Sequence, residues 1–368
     1  MQLPDISSLT LAEKIGQLFF IGIPGDHIDG VTERLMADVR PGGICLFARN
    51  IKEPGQVRKL VDGLRDRSMI EPLLSVDQEG GLVDRLRKIL GPMPAPARLA
   101  TPQAAAEQAK VIAESLTVLG LNMDFAPVVD VIDPVRAKFN NGLRSRAFAS
   151  TADGVIEMAL SFLDTLQANG IIGCVKHFPG LGAAEVDSHE ELPTVTISAE
   201  EFRAVDLEPF RHLISGGSVS AVMVAHAAYP NLGLQETGPD GRLLPASLSS
   251  NFVTNLLRQE LGFNGLVLTD DLEMGAIVNN YGIGEASVSA ISAGHDMVAI
   301  CAGVDSIRDA HSSISRAVSE GRLDAARIDD SVGRILAIKA KLSRPRPFDL
   351  GLIAELSQQV AKLNDTLS

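Results

Sequence analysis

Ionisable side chains recur directly after short apolar runs in this chain. Asp77-Gln78-Glu79 follow residues 73–76, Asp130 and Asp133 follow 123–128, and Lys176-His177 follow 171–175. His226 follows 220–225, and Asp270-Asp271 come just after 266–268. Across a Gly/Ala-rich spacer from Lys176-His177-Phe178-Pro179-Gly180 stands Asp187-Ser188-His189. Carboxylates of this kind serve as nucleophiles or bases, imidazoles transfer protons, and an ammonium grips ligand oxygens. Any one of these residues alone reads as a polar group that ends a strand and caps the next helix. Five corresponding places together describe one shared site.

Two pairs carry more specific information. Asp187 and His189 are two apart, so in an extended segment both project to one side and can hydrogen-bond. The carboxylate then holds one ring nitrogen, aims the other outward and favours the protonated ring. Asp270 and Asp271 are adjacent, so on a strand only one of them faces the barrel axis. A divalent-ion site built from His177, His189, His226 and Asp270 is a competing arrangement, but it lacks the His-x-His pair after the first strand that such barrels carry.

The elements that must position these groups are eight apolar runs, 18–23, 43–47, 73–76, 123–128, 171–175, 220–225, 266–268 and 297–301. None alternates, and each is rich in Val, Ile, Leu or Phe, as expected of parallel strands covered on both faces. Helical stretches lie between them at 101–119, 152–168, 249–261, 285–293 and 306–320. Thr101-Pro102 reads as an N-cap with Pro at the first helical position, and Gly120 as the C-cap. Eight strand-helix units without a long linker predict an α/β fold, a single TIM-like (β/α)8 barrel over residues 1–343, with its site at the C-terminal strand ends. A doubly wound open sheet is the alternative, and no GxGxxG loop follows the first strand. Two prolines in 344–347 break the last helix, and residues 344–368 form a helical tail expected to brace the barrel or an oligomer contact.

Composition narrows the partners. At 368 residues, 45% of them hydrophobic, the chain can bury a full core. A net charge of −13 with no dense Lys/Arg patch gives no attraction for nucleic acid. Cys45, Cys174 and Cys301 are odd in number, lie inside apolar runs and lack metal-ligand spacing, so they read as buried thiols in a reducing compartment. The start, Met-Gln-Leu-Pro-Asp, has no signal-peptide pattern, and no apolar run is long enough for a bilayer. A soluble cytoplasmic protein, monomeric or weakly self-associating, is expected.

The chain resembles the glycoside hydrolase family 3 β-N-acetylhexosaminidases, in the single-domain bacterial form that recycles cell wall. The likeness runs through Gly42-Gly43-Ile44 to Asn50, Asp77-Gln78-Glu79-Gly80-Gly81, Asp124-Phe125-Ala126-Pro127, the Lys176–Gly180 stretch with Asp187-Ser188-His189, His226 with Tyr229-Pro230, and Thr269-Asp270-Asp271-Leu272. Lys-His-Phe-Pro-Gly followed by Asp-Ser-His is the most specific part.

This resemblance implies Asp270 as nucleophile, Asp271 as a helix cap, and Asp187/His189 as the acid/base pair in place of the usual second carboxylate. It implies that Lys176 and His177 hold sugar hydroxyls, with Asp77 accepting from hydroxyls opposite them. Arg85 and Arg146 contact substrate, Arg146 being selected over Arg144 by its Arg-x-Phe spacing. No metal and no cofactor are implied.

The implied substrate is a terminal β-linked N-acetylglucosamine on a disaccharide or muropeptide, hydrolysed with retention. A phosphorylase or β-glucosidase on the same scaffold is the alternative, and a non-catalytic sugar-binding barrel is disfavoured by the presence of Asp270 with Asp187/His189. His226 is either an orienting residue or a satisfied core histidine. The commoner family form has His and Asp where this chain has Leu181 and Ala183, and Arg in place of Leu82. These departures predict a small-residue loop that moves with His189.

Overall fold

The computed structural model describes residues 3–139, 141–238 and 241–367. Met1, Gln2 and Ser368, at the ends of the expected barrel and tail, lie outside them. Strands β1 (Phe19–Gly22), β2 (Gly43–Leu46) and β3 (Leu73–Val76) are followed by a hairpin, β4 (Gln78–Gly80) and β5 (Val83–Asp84). Then come β6 (Met123–Asp124), β7 (Ile172–Phe178), β8 (Ala221–Val224), β9 (Leu266–Asp271) and β10 (Met297–Ile300). All but the hairpin close into a barrel in the order β1-β10-β9-β8-β7-β6-β3-β2, every pair parallel. The (β/α)8 expectation is met.

Alternation along the strands divides the core into two layers. Phe20, Cys45, Leu73, Met123, Cys174, Met223, Leu268 and Met297 fill the barrel, while Phe19, Ile21, Ile44, Leu74 and Val222 face the surrounding helices. Ile335 and Ile338 of the helix Ala325–Lys339 join the inner layer. Lys339 Nζ donates to Gln17 Oε1 at 2.7 Å, just before β1, so this helix stops the N-terminal end of the barrel.

Three strand boundaries differ from the sequence expectation. The run at 123–128 yields only Met123–Asp124, because Pro127 has no N–H for the ladder; pairing resumes at Val128 opposite Lys176. β7 continues past the apolar run through Lys176, His177 and Phe178. Lys176 N–H donates to the Pro127 carbonyl at 3.2 Å, and the Phe178 carbonyl accepts from Ala225 N–H at 2.7 Å. β9 likewise runs on to Asp271. Charged residues that ended the apolar pattern therefore lie within the strands, where the β7–β8 and β9–β10 registers shift.

The helix Pro102–Leu119 has the expected ends: Thr101 Oγ1 accepts from Ala104 N–H, and Gly120 closes it at φ 87°, where a Cβ is unfavourable. The last helix, Leu350–Thr366, buries Ile353, Leu356, Val360 and Leu363 against the preceding structure. Ser357 Oγ and Asn364 Nδ2 donate to the carbonyls of Leu90 and Pro92. Among the described residues no helix is long and apolar enough to cross a membrane.

Candidate active site

At the C-terminal strand ends lies a cavity of about 310 Å³. Its lining includes Asp77, Arg85, Arg146, Lys176, His177, Asp187, His189 and Asp270, so every expected site residue meets in one place. Phe47, Phe125, Met223, Cys45 and Cys301 supply apolar floor and wall. Arg144, the competitor of Arg146, is exposed.

β7 delivers the fixed half of the site. Lys176 is 2% exposed, and its Nζ lies 2.7 Å from both Asp77 Oδ1 and Glu79 Oε1. Glu79 also accepts two bonds of 2.8 Å from Arg146, a fork-on-fork pair. Burial works to lower Lys176 and Arg146 and to raise Glu79. The mutual charges win in each case, so the cations are held above their usual range and Glu79 falls to about 2. Asp77, expected to accept from hydroxyls opposite Lys176, is in direct contact with it. The reason is that a buried ammonium needs carboxylate partners even without ligand.

His177 Nδ1 lies 2.8 Å from Asp130 Oδ2, and its Nε2 lies 3.3 Å from Arg146 Nη2. The other Asp130 oxygen accepts from Leu181 N–H at 2.6 Å. One carboxylate thus sets both the ring and the start of the following loop. Arg85 completes this wall, 4.0 Å from Asp77 and stacked 5.7 Å from the Phe47 ring centroid.

β9 delivers Asp270. Its Oδ1 accepts from the N–H of Asp271, and the rest of the carboxylate lines the cavity. Burial acts to raise its pKa, but His177, His226 and Lys176 outweigh that and hold it below the usual carboxylate value. Asp271 behaves in the opposite way. Its Oδ1 accepts from the N–H groups of Glu273 and Cys301, and burial pushes it up to about 7. The helix-cap expectation for Asp271 is not met: the next helix, Gly275–Val278, begins at Met274 without a side-chain cap, and Asp271 ties β9 to the end of β10 instead.

His226 is fully buried. Nδ1 lies 2.7 Å from Ser247 Oγ, and Nε2 lies 3.1 Å from the Asp271 carbonyl. Burial lowers its pKa, which fits a neutral ring donating from Nε2 and accepting at Nδ1. Both alternatives raised for it are thus combined, since a satisfied core histidine steadies the strand end beside Asp270. Both its nitrogens being engaged, it has no lone pair for an ion. Among the described residues no group of three or more His, Cys, Asp and Glu side chains is placed to hold a metal.

The Asp187/His189 pair forms, at 2.8 Å from His189 Nδ1 to Asp187 Oδ1. It does so in a turn rather than an extended segment, because the same oxygen also accepts His189 N–H at 2.9 Å, an Asx turn. The imidazole is 69% exposed at the cavity mouth. Leu181 and Ala183 are buried, and Asn141 Nδ2 donates to the carbonyls of Gly182 and Ala184, so this part of the loop is packed rather than loose. Leu82, by contrast, is 73% exposed on the turn between β4 and β5. Sequence reasoning put Glu79 and Asp130 among the rim groups of the shared site but assigned neither a specific role. Their signal was present, in that both are carboxylates in apolar surroundings close to a basic residue of the same rim.

A closed parallel barrel with a small acidic and basic cavity at its strand ends is the architecture of a barrel enzyme. Comparison with known proteins specifies which. Residues 10–338 match the glycosyl hydrolase family 3 N terminal domain. The chain is 36% identical over 291 residues to Beta-hexosaminidase of Pseudomonas aeruginosa, covering 76% of this chain and 81% of that protein. It is 33% identical over 286 residues to Beta-hexosaminidase of Tolumonas auensis, with the same coverage. The structure of a glycoside hydrolase family 3 beta-N-acetylglucosaminidase from Paenibacillus sp. str. FPU-7 superposes with a TM-score of 0.87 and 36% identity, over 97% of this chain and 69% of that one. The chain belongs to glycoside hydrolase family 3 and is a glycoside hydrolase.

Proposed function

We propose that this enzyme is a retaining β-N-acetylhexosaminidase that removes terminal β-linked N-acetylglucosamine from disaccharide or muropeptide fragments of peptidoglycan. The observation that carries the reading is the shared cavity: Asp270, a carboxylate kept ionised, and the Asp187–His189 pair line the same space of about 310 Å³. That volume is at the lower end for small-ligand sites, room for a terminal sugar ring rather than a chain interior. Three buried free thiols fit a reducing, cytoplasmic setting.

In the mechanism, Lys176, His177, Arg146, Arg85 and Asp77 grip the ring hydroxyls. Asp270 attacks the anomeric carbon while the bond to the leaving oxygen breaks, and His189 Nε2–H gives that oxygen its proton. Asp187, 2.8 Å from Nδ1, fixes the orientation of the ring and turns Nε2 toward that oxygen. Water then attacks the glycosyl-Asp270 ester and loses a proton to His189, which releases the sugar with its original anomeric configuration and restores both groups.

Turnover of aryl β-N-acetylglucosaminide and β-glucoside chromogens, each with and without phosphate, tests this. The account expects the N-acetylglucosaminide to be cleaved at a rate independent of phosphate. Turnover that requires phosphate would make the enzyme a phosphorylase, and preference for the glucoside would make it a β-glucosidase.

A further inference from the structure

The loop that carries His189 touches the segment following Asp270 through its backbone. Gly275 N–H donates to the His189 carbonyl at 3.1 Å, and Ala276 N–H donates to the Ser188 carbonyl at 3.1 Å. Asn279 Nδ2 donates to the Glu190 carbonyl, also at 3.1 Å. Three consecutive carbonyls, 188 to 190, are therefore held by residues 275 to 279. That segment begins five residues after Asp270 on the same stretch of chain.

The contact has a steric condition. A Cβ on Gly275 would lie 2.4 Å from the Glu190 carbonyl oxygen and 2.6 Å from that of His189. Both are backbone atoms, so they yield only if the loop backs away. The backbone of Gly275 itself is helical and admits alanine without strain. Glycine is the poorer helix former, so the local helix does not call for it. What calls for it is the close approach of the loop.

We propose that Gly275 is a positioning residue: its missing side chain lets the His189 loop dock on the chain segment just beyond Asp270, which sets the distance between proton donor and nucleophile. The inference rests on the reading of His189 as the acid. A displacement of about 1 Å between catalytic groups costs on the order of 100-fold in rate. The two bonds to Ser188 and His189 and the pair on Asp187 then act as one device, the first setting where the ring stands and the second how it turns.

The test compares kcat/KM for wild type, Gly275→Ala, Asn279→Ala and His189→Ala on two N-acetylglucosaminides, a nitrophenyl glycoside and a disaccharide. Departure of nitrophenolate needs little protonation, whereas a sugar alkoxide needs the acid. Gly275→Ala is expected to lose about tenfold or more on the disaccharide, within the ~10²–10⁴ that a general acid contributes, and under about twofold on the nitrophenyl glycoside. The thermal midpoint is expected to fall by no more than about a few degrees, since the gain from the better helix former offsets part of the loss of the two backbone bonds. A purely structural residue would lower both rates together.

Asn279→Ala deletes one contact at an exposed position. It is expected to show the same selectivity at smaller amplitude, and it decides the matter if Gly275→Ala does not fold. If His189→Ala is selective for the poor leaving group and neither docking variant is, the docking role is wrong and the acid stands. If His189→Ala itself loses both substrates equally, the acid reading fails and this inference fails with it.

Discussion

Glu79→Gln keeps the side-chain shape and removes the charge that two buried cations share. Burial would raise this carboxyl, yet Lys176 and Arg146 bring it down to about 2, against 4.5 for an ordinary Glu. One pKa unit corresponds to about 1.4 kcal/mol, so the ionised carboxylate contributes on the order of 3 kcal/mol at neutral pH. Its folded pKa is the lower one. The contribution is therefore fully present above about pH 4.5 and is lost as pH falls from there towards 2. Urea unfolding at pH 7 should find the variant about 3 kcal/mol less stable than wild type, in line with the cost of breaking a buried ion pair. At pH 3 the gap should shrink to less than half. In parallel, kcat/KM should fall about 10–100-fold, since both cations lose the group that aims them. A gap under about 1 kcal/mol at pH 7, or one that widens on acidification, would refute the reasoning.

Other outcomes follow from the same geometry. Asp270→Asn should remove turnover on every glycoside while leaving the unfolding midpoint within a few degrees of wild type; retained activity on an activated aryl glycoside would count against its role. Burial lowers Lys339 to about 7 from 10.5, so the unfolded chain holds a proton that the native one lacks between those values, and stability rises with pH there by up to about 1.4 kcal/mol per unit. Lys339→Met should flatten the stability profile between pH 7 and 9, and equal slopes in the two proteins would contradict this. Gly120→Ala should cost about 1 kcal/mol by denaturant titration, because φ is 87° there and the new Cβ would meet a Val61 methyl at 2.9 Å; an unchanged midpoint would show that the helix end relaxes freely.

The barrel was legible because its signal is additive: eight unalternating apolar runs with helices between them leave few other architectures. Rim residues were legible for a related reason, as Asp77, Lys176 and Asp270 each interrupt an apolar run where a strand approaches solvent. The partnerships were not. Nothing in the local pattern says that Lys176 meets Asp77 and Glu79 ninety-odd residues away, since that pairing depends on β3 and β7 being separated only by the two-residue β6. Asp271 was misread because a carboxylate between a strand and a helix normally caps the helix, and here the end of β10 competes for it. The turn at Asp187 was missed because an i to i+2 contact fits both an extended segment and an Asx turn, and the choice is made by a backbone bond.

Trapping the glycosyl-enzyme tests the central claim most directly. His189→Ala, given a nitrophenyl β-N-acetylglucosaminide, should form the ester quickly and lack the base that resolves it. Intact-protein mass spectrometry followed by peptide mapping is then expected to find one N-acetylhexosaminyl group, attached to the peptide that contains Asp270 and lost when Asp270 is changed to Asn. An adduct on another residue, or no adduct and a product of inverted anomeric configuration, would contradict the account.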